Sequence, residues 1–217
     1  MIRAGWLESG RVHIGRRGRI GASAAAALTL ALTLPLWAFP EPALAPRSWQ
    51  LDFQHQAPRM IWVTSARGER WYMYMTYQVT NRTGQERLFV PEFTMATNQG
   101  DILPAGKGVA ATVFASVKNR ESNDLLVSPS QIVGQLLQGE NNARESVAIW
   151  PVPKNDVDEI SIFITGLTGE TQVIAHPATG EDVVMAKSLM LDYDLPGSSN
   201  NFEGQPVQPR GKRWIMR

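Results

Sequence analysis

The sequence predicts a mainly β chain, an antiparallel β-sandwich carrying a short two-helix insertion near residues 109–138. Three observations carry this expectation. Short stretches alternate apolar and polar side chains, the period-2 pattern of a strand with one buried face. Clusters of Gly, Pro, Asn, Asp and Ser separate those stretches. No strand–helix–strand alternation recurs, which argues against a parallel sheet.

Taken in order, Trp49–Phe53 alternates and reads as the first strand, and Met60–Thr64, β-branched and aromatic, as the second. The polar stretch 66–70 leads into Trp71–Met95, around which the rest is organised. Its odd positions are Trp71, Met73, Met75, Tyr77 and Val79, while the even positions end in Thr76, Gln78 and Thr80. The odd face is therefore expected inside, with Gln78 and Thr80 in water. Asn81-Arg82-Thr83-Gly84 supplies turn chemistry, and Gly84 is free to take positive φ. The return strand carries Phe89, Phe93 and Met95, so the stretch reads as a β-hairpin. Pro91 lacks a donor, which places that strand at an edge or a bulge. Thr97–Asp101 is a tight turn into Ile102-Leu103.

The pattern then becomes helical. Val109, Val113, Phe114 and Val117 recur at helical spacing as far as Asn119. Ser128-Pro129-Ser130-Gln131 has the residues of a second helix start, Ile132, Val133, Leu136 and Leu137 form its face, and Gly139 is its stop. Strands resume at Ser146–Trp150 and at Glu159–Thr165, where Ile160, Ile162 and Ile164 share a face. Thr171–His176 and Asp182–Leu195 flank the turn residues Pro177-Ala178-Thr179-Gly180. Val183, Met185, Leu189, Leu191 and Tyr193 share one side of that last strand, with Lys187 the exception.

Organisation and charge divide the chain further. Residues 1–45 place Arg16-Arg17-Gly18-Arg19 before the apolar run Ile20–Phe39 and end in Ala43-Leu44-Ala45, a small-x-small cleavage pattern. This segment is expected to be a signal peptide or an N-terminal membrane anchor, the run 20–39 being long enough to span a bilayer. In both cases the remainder is extracytoplasmic, in the periplasm or cell envelope. The domain expected over 47–195 is acidic, with 12 basic and 17 acidic residues in 46–195. Residues 196–217 form an extended basic C-terminal tail with four basic residues and one acidic, rich in Pro, Gly, Ser and Asn, whose Trp214-Ile215-Met216 is expected to dock. Near-neutral overall charge leaves no footprint for nucleic acid. The absence of cysteine excludes disulfides and a thiol nucleophile.

Tyr77-Gln78-Val79-Thr80-Asn81-Arg82-Thr83-Gly84 resembles the strand-turn motif of exported bacterial immunoglobulin-like domains. Ser146–Trp150 followed by Ile160–Gly166 is similar to their later strand pair. With the helical insert and the final Trp-Ile-Met-Arg, the chain looks like uncharacterised exported bacterial proteins. That resemblance implies an immunoglobulin-like β-sandwich over roughly 47–195 and brings no catalytic residues with it.

No residue pattern points to catalysis. There is no Gly-x-Ser-x-Gly elbow and no His-Glu-x-x-His. The carboxylates at Asp156, Asp158 and Glu159, and at Glu181 and Asp182, read as solvated turns. Outside the leader the histidines are His55 and His176, without ligand spacing even if Asp52 or Glu181 lay near, so no metal site and no cofactor are expected. Met73, Met75, Met185 and Met190 read as packing residues more than as a copper set. Asn81-Arg82-Thr83 matches a glycosylation sequon that its turn role already explains. Trp62, Tyr72, Tyr74 and Trp150 are the candidate ligand-binding residues, because exposed aromatics on a sheet stack sugars; the competing expectation buries them under the helices. The function expected is a non-enzymatic protein-interaction or structural module of the cell envelope. The alternatives are a carbohydrate-binding module using those aromatics, and then a small-ligand or metal carrier. The partner is accordingly an envelope protein or a glycan.

Overall fold

Strands form where the sequence alternates. In chain order they are β1 (Asp52–His55), β2 (Arg59–Ser65), β3 (Gly68–Thr80), β4 (Arg87–Phe89), β5 (Glu92–Thr97) and β6 (Ile102–Pro104). Helix α1 (Ala111–Glu121) follows, then β7 (Gly134–Leu136), β8 (Arg144–Pro151), β9 (Glu159–Thr165), β10 (Thr171–Ala175), β11 (Asp182–Asp194) and β12 (Gln208–Met216). The computed structural model describes residues 40–43, 48–65, 68–152, 157–195 and 207–217. The expected leader lies outside these except for 40–43, as do the linker at 66–67, Asp156 and the tail from 196 to 206.

The described chain is mainly β, with antiparallel sheets and one α-helix. In the first sheet β3 is central. β8 lies along one side of it, from Tyr72 opposite Pro151 to Val79 opposite Arg144, and β2 and β1 share the other side. The second sheet runs β6–β5–β9–β11, with β10 on the first part of β11 and β12 on the rest. The two sheets share one core. Met73, Met75, Tyr77 and Val79 from β3 meet Phe93 and Met95 from β5, Ile160, Ile162 and Ile164 from β9, and Leu189, Leu191 and Tyr193 from β11. This is the packing expected of a β-sandwich.

The opposite face of β3 is covered too. Val113 and Val117 of α1 pack on Ile61, Val63, Tyr72, Tyr74, Val147 and Ile149 in a second cluster. Each valine buried there contributes about 1.5–3 kcal/mol. The helix lacks a side-chain N-cap. It ends with Lys118 and Arg120 near its negative pole and with Ser122 in the left-handed region at φ 50°.

Three expectations are corrected. Trp71–Met95 is not a hairpin, because β3 pairs with β1, β2 and β8, whereas β4 pairs with β7 and β5 with β9 and β6. The chain changes sheet at Val90-Pro91, and Gly166 (φ 82°) passes so close that a Cβ there would lie 2.5 Å from the Val90 carbonyl oxygen. The turn chemistry still acts: Asn81 Oδ1 accepts from Thr83 N at 3.1 Å, and its Nδ2 donates to Leu136 O at 2.8 Å and Gln85 O at 2.9 Å. Asn81 is thus buried, and its amide is bonded within the protein.

The second expected helix does not form, so the insertion holds one helix and not two. Gln131 Oε1 does cap Ser128 N at 3.1 Å, and one turn closes with Ile132 N donating to Ser128 O at 3.2 Å. Gly134 then takes φ 143°, outside helical space, and β7 begins. Ile132 and Leu136 are both buried, so their i, i+4 spacing came from a turn joined to a strand. Finally, Thr80 is buried and not in water, whereas Gln78 is half-buried.

Candidate functional site

The four candidate aromatics do not form one surface. Tyr72 and Tyr74 lie side by side on the α1-covered face of β3 and are fully buried. Trp150 faces the opposite way, into the core between the sheets. Only Trp62 is exposed, at 44 %, and it meets Trp71 edge-on at 5.4 Å. A stacking platform needs several open ring faces, and three of the four are closed here.

What Tyr74 does is structural. Its hydroxyl donates to Glu121 Oε1 at 2.7 Å, and Arg59 Nη2 holds Glu121 Oε2 at 2.6 Å. Burial and the bond to Glu121 push its pKa up to about 12. The groove beside this network is lined by Gln54, His55, Thr76, Gln78, Glu121 and Glu145. Its polar groups largely bind one another: Gln78 Nε2 donates to Glu145 Oε1 at 3.1 Å, and Asn123 Nδ2 donates to Glu145 Oε2. His55 stacks on Phe53 at 5.8 Å and lies 3.3 Å from the Tyr193 hydroxyl. Burial lowers its pKa, the Lys212 charge adds to that, and the bond to the Gln56 carbonyl opposes it. His176 sits apart at the β10–β11 turn, accepting from Ala178 N and Thr179 N at 3.3 Å. Among the described residues no three His, Cys, Asp or Glu are placed to hold a metal ion.

Reasoning from sequence placed the strand pair around the turn at Pro177-Ala178-Thr179-Gly180 and missed that the arm made by β10 and the start of β11 carries exposed valines. Among the described residues, β10 pairs only with β11, and Asp182–Met185 pairs only with β10. Val173 and Val184 are directly opposed and exposed at 58 % and 66 %, and Val183 is exposed too. The alternation that assigned Val183 to the core side holds only from Leu189 onward, where β9 and β12 flank the strand. Two strands alone are marginally stable in water, and apolar residues on such an arm gain nothing from the body they leave. Val183-Val184, adjacent in β11, break the period-2 pattern and were the signal that the sequence offered.

Neither a protein family, nor a curated protein, nor a solved structure matches this chain.

Proposed function

We propose that the chain is an exported, non-enzymatic module of the cell envelope that acts by protein–protein contact, with the β10–β11 arm as its contact element. The single observation that carries this reading is the opposed, exposed pair Val173 and Val184 on a two-stranded arm whose edges pair with no other strand among the described residues. An apolar ridge whose edge backbone groups meet no further strand among the described residues suits a protein partner with an apolar surface. The sheets enclosing one core support assignment to an immunoglobulin-like sandwich, the fold class suggested by the motif at Tyr77–Gly84. Export rests on Arg16-Arg17-Gly18-Arg19 followed by the apolar run 20–39. The glycan alternative loses its main support, since Tyr72, Tyr74 and Trp150 are buried.

The test is affinity capture from intact envelopes with the wild type and with Val173→Ser/Val184→Ser. The double variant should keep the wild-type melting temperature and lose the captured protein. Unchanged capture would remove the arm from the reading.

A further inference from the structure

Lys187 interrupts the apolar side of β11, and its surroundings give the reason. Its ammonium donates to Glu170 Oε2 at 3.0 Å, with the two side chains only 2 % and 9 % exposed. The backbone fixes the pair, because Lys187 N donates to Glu170 O at 2.9 Å. Trp214 of β12 lays its ring 5.2 Å from the ammonium. Taking two charges out of water is a poor way to fill a core, where an apolar pair of similar size is often as stable. A buried pair is better explained by what it holds.

What it holds is main chain. Ala43 N donates to Glu170 Oε1 at 3.1 Å, and Lys187 Nζ donates to Ala43 O at 3.4 Å. Carboxylate and ammonium thus grip the N–H and the C=O of one residue, a recognition that reads backbone and ignores the side chain. Pro40 and Pro42 restrict the segment in advance, which lowers the entropy lost on holding it. We infer that Glu170, Lys187 and Trp214 form a cradle for a main-chain residue and that segment 40–43 is its resident ligand. The clamp ties the chain that follows the apolar run 20–39 to the folded body, independently of the β10–β11 arm.

The experiment is amide hydrogen exchange on the full chain in detergent, resolved to single residues. The Ala43 amide should exchange at least about tenfold more slowly than in a free peptide of the same sequence, as expected for a bond to a charged acceptor. In the Glu170→Leu/Lys187→Met double variant, which removes both charges together, Ala43 should lose that protection while the Leu189 amide keeps its own. Free-peptide exchange at Ala43 in the wild type, or equal protection in both proteins, would overturn the inference. If Leu189 also loses protection, Ala43→Pro decides. It deletes the donated N–H without touching the body, and must speed trypsin cleavage after Arg47 about tenfold on the same arithmetic. An unchanged cleavage rate would overturn the inference equally.

Discussion

Tyr72 and Tyr74 offer a controlled comparison. Both rings are fully buried on one face of β3 beneath α1, two residues apart. The Tyr74 hydroxyl donates to Glu121 Oε1 at 2.7 Å, which ties β3 to the end of α1. The Tyr72 hydroxyl has no hydrogen-bond partner among the described residues. Tyr74→Phe removes a bond to a charged acceptor and should cost about 1.5–3 kcal/mol. For a body of this size that lowers the melting temperature by roughly 3–12 °C. Tyr72→Phe removes a buried group without a partner and should range from neutral to about 1 kcal/mol stabilising. Urea unfolding at neutral pH, with the slope checked for constancy, measures both. Alkaline pH adds a second readout. The folded-state pKa of Tyr74 is raised to about 12, so its contribution is present below pH 10 and is lost as pH rises toward 12. Tyr74→Phe should flatten that part of the profile relative to wild type. Equal losses for the two variants, or a larger loss for Tyr72→Phe, would refute the assignment of the Tyr74–Glu121 bond as the link between helix and sheet.

His55 and the C-terminal strand give two further predictions. Burial holds the pKa of His55 below its ordinary value of 6.5, so stability from its neutral form is present above that pH and is lost as pH falls. Melting curves at pH 7.5 and 5.5 should therefore differ less for His55→Gln than for wild type, and an identical difference would remove His55 as the cause. Deleting residues 212–217 strips the partners of Lys187–Leu191 from the edge of β11, including Trp214 opposite Leu189. The melting temperature should fall well beyond what high salt alone produces, because salt screens exposed ion pairs such as those of Arg210 with Glu159 and Asp194 and leaves the backbone pairing of β12 in place; no change would mean that β12 adds nothing to the body.

The sequence was most legible where burial is one-sided. β9 alternates strictly between core isoleucines and the other face, and its bounds could be read directly. β3 was legible on its odd face; on its even face the pattern left Tyr72 and Tyr74 between an open stacking surface and burial under the helices, and α1 covers them. Trp71–Met95 looked like a hairpin because turn chemistry at Asn81–Gly84 is local, whereas the choice of partner strand depends on contacts distant in sequence. Ile132 and Leu136 have helical spacing, but the positive φ of Gly134 outweighed it. The tail beginning at 196 read as an arm by composition, yet its end is β12. Pro209 is accommodated there by a register shift opposite Asp192 and Tyr193. Of the site, Trp62 alone was placed at the surface as a stacking aromatic requires, and Val183 of the arm was read on the core side because period 2 does not report where flanking strands stop.

The most direct test of the contact reading is site-specific photo-crosslinking in intact cells. A benzophenone amino acid replaces Val184 on the arm, and in a second strain Ile102, which is equally exposed at 65 % but lies on β6, at the opposite end of the strand order of the same sheet. A discrete protein adduct from position 184, lost when Val173 is also changed to Ser and not seen from position 102, is the predicted result. No adduct from position 184, or the same adducts from both positions, would contradict the account.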